Sequence, residues 1–230
     1  MATPSKKPFT WSYTNLNSFE TCPKRYYLTK IAKAVADPPS EDMNWGRTVH
    51  KALEDRIKRK TPLPTGMEKW EPITATIEQW GTQHKTERQL AITEGFQPTG
   101  WFEKDVWARA VLDISFVPKD QDGLAVLDYK TGKKDPASEQ LKLFAAFSFI
   151  HEVDIDKVKT GFVWLKEPPK SRYTVESYHR SDTLHIWGEF LPRIKRMREA
   201  YDTDEWPAKP SGLCRAWCPC TGCEHNGRRG

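Results

Sequence analysis

The chain has 230 residues, 37% hydrophobic and 12% aromatic with ten Trp, which excludes a disordered chain and leaves ample material for a core. No apolar run reaches the length of a membrane span, and the opening MATPSKKPFTW lacks a signal-peptide segment, so a soluble, cytoplasmic protein with no membrane partner is expected. The net charge of +5 is spread along the chain and permits an anionic partner without selecting one.

Residues 1–11 read as a flexible tail. Ser12 or Thr14 can cap a short helix carrying Leu16 and Phe19. Pro23 suits the first turn of a second helix, PKRYYLTKIAKAV, because a helix start has no use for the missing N–H. After the loop ADPPSED, NWGRTVHKALEDRIKR places Val49, Leu53 and Ile57 on one helix face, with His50 and Glu54 beside that stripe. Trp70, Ile73, Ile77 and Trp80 mark a further helix that covers the fold. Strands are expected near 86–92, 104–118 and 123–131. An amphipathic helix, ASEQLKLFAAFSFIHE, comes next, then strands near 158–166 and 172–179. A long helix, DTLHIWGEFLPRIKRMREAY, carries Pro192, which is expected to bend or break it. The order gives an α/β or α+β core with a helical N-terminal lobe and a small C-terminal Cys-rich knot.

Side chains alternate across a strand. In ARAVLDISFV one face holds Arg109, Val111, Asp113 and Ser115; in VLDYK one face holds Val126, Asp128 and Lys130. The turn PKDQDG predicts an antiparallel hairpin, which brings Asp113 near Asp128 and Lys130. Two neighbouring carboxylates repel, and a divalent cation removes the repulsion. Lys130 adds a point charge for a phosphate or an activated water. For Asp128 and Lys130 alone, a cross-strand ion pair is the simpler reading; Asp113 in register and His50 on the earlier helix favour a metal. Arg109 shares the Asp113 face and could meet phosphate or form an ion pair. Glu54, Glu87 and Glu94 read as solvated or structural.

Of the five Cys, Cys214, Cys218, Cys220 and Cys223 fall within ten residues, enough by themselves for a tetrahedral Zn²⁺ site. Without a secretion signal, such crowding reads as metal or cluster ligation before disulfides. Lys24, Arg25, Lys30 and Lys33 with Tyr26 and Tyr27, and Trp164, Lys166, Lys170 and Arg172, offer cations interleaved with aromatics, a composition suited to holding single strands.

Gly46, His50, Leu53 and Glu54 in GRTVHKALE, Asp113 in RAVLDIS, Asp128 and Lys130 in LDYKTGK, and Gln140 in EQLKLFA together resemble the PD-(D/E)XK nuclease superfamily. The branch most similar is the RecB-type one, with the iron–sulfur CRISPR-associated exonucleases and phage-encoded relatives. The likeness runs from about Ser12 to Cys223. It implies a restriction-endonuclease-like mixed sheet flanked by helices. It also implies His50, Asp113 and Asp128 as ligands of Mn²⁺ or Mg²⁺, Lys130 as the group assisting the attacking water, and Gln140 as an orienting group. The pattern departs from the family at Phe144, where a Tyr is common. The resemblance further implies a 4Fe–4S cluster on Cys22, Cys214, Cys218 and Cys223, with Cys220 spare and Zn²⁺ the rival. The expected domains are the tail at 1–11, a nuclease domain at 12–209 and a Cys segment at 210–230 that closes with Cys22.

The function expected is a metal-dependent deoxyribonuclease, an exonuclease on duplex ends or single-stranded DNA. Phage recombination or replication and CRISPR-linked processing supply its contexts and its possible protein partners, in a host cytoplasm if phage-encoded. The alternatives are a non-catalytic DNA-binding accessory protein and a structure-specific endonuclease. An imidazole ligand favours Mn²⁺ over Mg²⁺.

Overall fold

The structure, a computed structural model, describes residues 8–135 and 138–228. The first seven residues of the expected tail and Ala137, the start of the expected ASEQ helix, lie outside the described residues. The helices are α1 (Tyr13–Thr21), α2 (Pro23–Tyr26), α3 (Glu41–Arg59), α4 (Glu71–Trp80), α5 (Gln140–His151) and α6 (Thr183–Thr203). The strands are β1 (Gly81–Ile92), β2 (Pro98–Thr99), β3 (Ala108–Pro118), β4 (Leu124–Lys130), β5 (Lys157–Trp164) and β6 (Tyr173–His179). The chain divides into two compact units: the stretch up to Pro38 together with Glu189 onward, and Pro39–Gly188. No helix among the described residues is long and apolar enough to cross a membrane.

In the second unit six strands form a mixed sheet in the order β2-β1-β3-β4-β5-β6. Only β4 and β5 run parallel, and α5 makes the crossover between them; the other neighbours are antiparallel. One face packs Ile114, Phe116, Ala125, Leu127, Tyr129 and Val163 against Val49, Leu53 and Ile57 of α3 and Ile73 and Ile77 of α4. Trp70 closes that layer by donating its indole N–H to the Leu165 carbonyl at 3.1 Å. α5 is buried along nearly its whole length, from Leu141 to Phe149, so it reads as apolar all round rather than amphipathic. Gly123 enters β4 with φ of +112°, and a Cβ there would stand 2.2 Å from the Lys157 carbonyl oxygen. Both facts require Gly at that turn.

In the first unit Ser12 caps α1 by accepting the Asn15 N–H. The second expected helix is shorter than its sequence pattern. α2 passes into a π-helical turn at Tyr27–Ile31, and Lys33 takes a left-handed backbone, ending the run before Val35. α6 runs through Pro192 without a break. Glu20 anchors Arg193 through two hydrogen bonds of 2.8 and 2.7 Å. Phe19, Tyr26, Tyr27 and Tyr201 surround Trp206, with the Tyr27 ring stacked on it at 5.2 Å.

Candidate active site and cysteine pocket

The β3–β4 ladder holds three recorded pairs, Phe116↔Ala125, Ser115↔Val126 and Ile114↔Leu127, and stops there, although both strands continue. Where the next rung would form, the carboxylate of Asp113 takes over. Its Oδ2 accepts the Tyr129 N–H at 2.7 Å, satisfying a buried donor that the ladder no longer serves. This fork between two strands is what makes room for polar groups at the middle of an otherwise apolar sheet.

Three more side chains enter the fork. His50 arrives from α3 with Nδ1 3.3 Å from Asp113 Oδ2. Asp128, 4% exposed, sits two residues before Lys130, whose Nζ lies 2.7 Å from Asp128 Oδ2. That buried carboxylate oxygen therefore has the Lys130 ammonium as its charged neighbour. Gln140, the first residue of α5, accepts from Lys130 Nζ at 2.8 Å and reaches Asp128 Oδ1 with its amide N–H at 3.4 Å. Lys130 also lies over the Phe162 ring. The hairpin therefore puts Asp113, Asp128 and Lys130 on one side of the sheet, as alternation predicted.

Sequence reasoning passed over Glu87. It stands in β1 between the pairs Thr86↔Ile114 and Arg88↔Leu112, directly across from Asp113. One ligand atom from each of His50, Glu87 and Asp113 falls within 4.8 Å of the other two. Asp128 is outside this tight set, drawn instead toward Lys130. The signal that hides Glu87 is irregularity: β1 shifts register between Thr82 and Lys85, and Gln83 and Glu87 adopt φ of 54° and 46°. A left-handed non-glycine residue costs on the order of 1–3 kcal/mol and survives where its surroundings impose it, often at functional sites.

The electrostatics express the crowding. Burial raises the Asp128 carboxyl to about 7, with the Asp113 charge adding to the shift and Lys130 opposing it. Burial and then Asp113 also raise Glu87. Burial works against charging His50, yet its hydrogen bond to Asp113 and the charges of Asp113, Asp128 and Glu87 outweigh it and hold its pKa above the ordinary value. A cluster of oxygen donors whose charges resist one another, plus an imidazole, fits a divalent cation of the Mn²⁺ or Mg²⁺ kind. Arg109 donates to the Trp101 carbonyl at 3.0 Å and lies over the Trp101 ring. Glu54 is held by Lys51 and Lys58.

None of the five cysteines forms a disulfide, and all line one small cavity in the first unit with Lys24, Arg25 and His225. Cys220 is the most buried, and burial together with Cys218 pushes its thiol up to about 12. Asn226, buried among them, donates to the Cys218 and Cys220 carbonyls.

A sequence profile of the PD-(D/E)XK nuclease superfamily matches residues 10–227. The chain belongs to the PD-(D/E)XK nuclease superfamily. Membership makes it a nuclease that uses a divalent metal, with DNA as the substrate class. Among solved structures, that of SSO0001 is similar in fold, at 15% identity and a TM-score of 0.50, with 98% of this chain and 89% of that one covered. A protein from Eubacterium rectale, assigned provisionally as an exonuclease, aligns at 13% identity and a TM-score of 0.48, covering 94% of this chain and 92% of that one. No curated protein matches the chain. The six-stranded mixed sheet flanked by helices is the restriction-endonuclease-like arrangement that the superfamily shares.

Proposed function

We propose that this PD-(D/E)XK nuclease is a deoxyribonuclease acting as an exonuclease on duplex ends or single-stranded DNA. The observation that carries the site is the forked hairpin, where Asp113 leaves the ladder to serve Tyr129 N–H and meets His50, while Asp128, Lys130 and Gln140 form a hydrogen-bonded and ion-paired triangle beside it. His50, Asp113 and Asp128 are the metal ligands in this reading, and Glu87 joins them because it closes on His50 and Asp113. An ion held by these residues would supply Lewis-acid polarisation of the phosphodiester and lower the pKa of the attacking water.

Lys130 then has two tasks. Its ammonium offsets the Asp128 charge, and it presents a donor toward the reacting phosphate. Gln140 fixes the ammonium by accepting from it, which limits the rotamers Lys130 can visit. A 4Fe–4S cluster on Cys22, Cys214, Cys218 and Cys223 is the companion proposal. Supporting it, Cys22 from the start of the chain and the cysteines from its end line one cavity, so both ends offer ligands to the same place. Cys220 is left as the spare thiol.

The deciding assay digests linear DNA labelled separately at each end, beside covalently closed circles, with Mn²⁺ or with chelator. Stepwise loss of label from linear DNA alone, abolished by chelator, is expected. Cutting of circles at an equal rate makes the protein an endonuclease. Binding without any cutting makes it an accessory protein.

A further inference from the structure

The face of α3 that carries His50 also carries Met43, Arg47 and Glu54, spaced i, i+4, i+7 and i+11, so the four form one row along the helix. At its carboxyl end the row is closed, since Glu54 is engaged by Lys51 and Lys58. At its amino end it is open: Met43 is 55% exposed and Arg47 is exposed. Gly46 pins this end of the helix to the segment that follows β4. A Cβ at Gly46 would approach Thr131 Oγ1 to 3.1 Å, and Thr131 directly follows Lys130. The open end of the row therefore lies at the mouth of the catalytic fork.

The fork itself repels nucleic acid. Glu87, Asp113 and Asp128 crowd it with carboxylates, and Lys130, held by Asp128 and Gln140, is reserved for the reacting phosphate itself. Lys51 and Lys58, the nearby helix cations, are committed to Glu54, with Lys51 also paired to Asp55. Arg47 stands apart: among the described residues it makes no ion pair, and it sits one helical turn from His50, with Cβ atoms about 5–6 Å apart. An uncommitted guanidinium at that spacing suits a phosphate neighbouring the one that is cut. Met43, exposed and polarizable beyond it, suits the face of a base.

We infer that the amino-terminal half of α3 is the track on which the substrate strand leaves the catalytic fork, with Arg47 holding a phosphate next to the scissile one and Met43 lying against a base. The inference rests on the nuclease reading and names the surface that reading leaves unspecified. The occupant is a single strand of DNA.

The test measures binding without cutting, by fluorescence anisotropy of a labelled single-stranded oligonucleotide in EDTA across a salt series. Arg47→Ala is expected to weaken binding three- to tenfold and to lower the slope of log affinity against log salt by about 0.7, the share of one phosphate contact on a single strand. Arg47→Lys should restore the slope. Met43→Ala should weaken binding with the slope unchanged, and Lys51→Ala, already paired, should bind as wild type. Melting curves verify that each variant is folded; if Arg47→Ala is not, Arg47→Gln replaces it. Wild-type affinity and slope in the folded Arg47 variant overturn the track, and Mn²⁺-dependent cutting by the same sample then leaves the nuclease reading standing. A wild-type protein that does not bind DNA in EDTA also overturns the track, and one that additionally fails to cut with Mn²⁺ removes the nuclease reading with it.

Discussion

Asp113 serves two partners at once, accepting the Tyr129 N–H at 2.7 Å and lying 3.3 Å from His50 Nδ1. One carboxylate thus ends a strand ladder and joins His50 and Glu87 in a group able to hold a cation. The two tasks separate by substitution. Asp113→Asn keeps an oxygen for Tyr129 and loses the charge; Asp113→Ala loses both. Both variants are expected to lose cleavage in an end-label assay. In the metal-free protein Asp113→Ala should be the less stable of the two by about 1–3 kcal/mol, the cost of a buried N–H left without an acceptor. Equal melting temperatures would contradict the assignment.

The pH dependence of metal-free stability follows from the same crowding. The Asp128 carboxyl lies at about 7 in the folded state and near 3.8 unfolded, so between those values the folded state binds more protons. Stability therefore falls as pH rises through that window, and the loss is complete above about 7. His50, raised above 6.5, pulls the same way, its contribution present below 6.5 and lost as pH passes its folded value. Urea midpoints of the chelated protein should decline from pH 5 to pH 8, and saturating Mn²⁺ should restore most of the decline. A flat profile, or one that Mn²⁺ leaves unchanged, contradicts a carboxylate cluster built for a cation.

Metal preference tests His50. An imidazole donor favours Mn²⁺ over Mg²⁺. Wild-type cleavage is expected to be faster in Mn²⁺, and His50→Asn should erase that preference more than it lowers the rate in Mg²⁺. Equal or better rates in Mg²⁺ for the wild type would count against His50 as a ligand.

Glu87 has a prediction that does not rely on turnover. Glu87→Gln should weaken Mn²⁺ binding, measured by calorimetry, by about 10–100-fold, the range seen for groups that support a metal site. Unchanged affinity would return Glu87 to a structural role.

The cysteine pocket yields a metal analysis. Protein purified without oxygen should carry iron and sulfide, and Cys22→Ser, Cys214→Ser, Cys218→Ser and Cys223→Ser should each lose them, while Cys220→Ser keeps both. Stoichiometric zinc in a colourless protein would overturn the cluster.

Much of this site could be read from residue order because β3 and β4 obey strict alternation: Asp113, Asp128 and Lys130 fall on one side by counting in twos. α3 was equally legible, since Val49, Leu53 and Ile57 fix its buried face and thereby the direction of His50. Glu87 was not. Two left-handed residues and a register shift in β1 destroy the alternation that would have aimed it, and nothing in the pattern TQHKTERQ marks those positions. The fork was also invisible, because the end of a ladder depends on which backbone group a distant carboxylate serves. α2 read too long for a related reason: YLTKIAKAV has helical spacing, but the π turn and Lys33 spend it.

The most direct measurement is a crystal of the protein soaked with Mn²⁺ and recorded at the manganese absorption edge. An anomalous peak bonded to His50 Nδ1 and the Asp113 carboxylate, with Asp128 turned from Lys130 toward it, is expected. Full soaking with no peak in the fork, or a peak held elsewhere, would contradict the metal centre on which the nuclease chemistry depends.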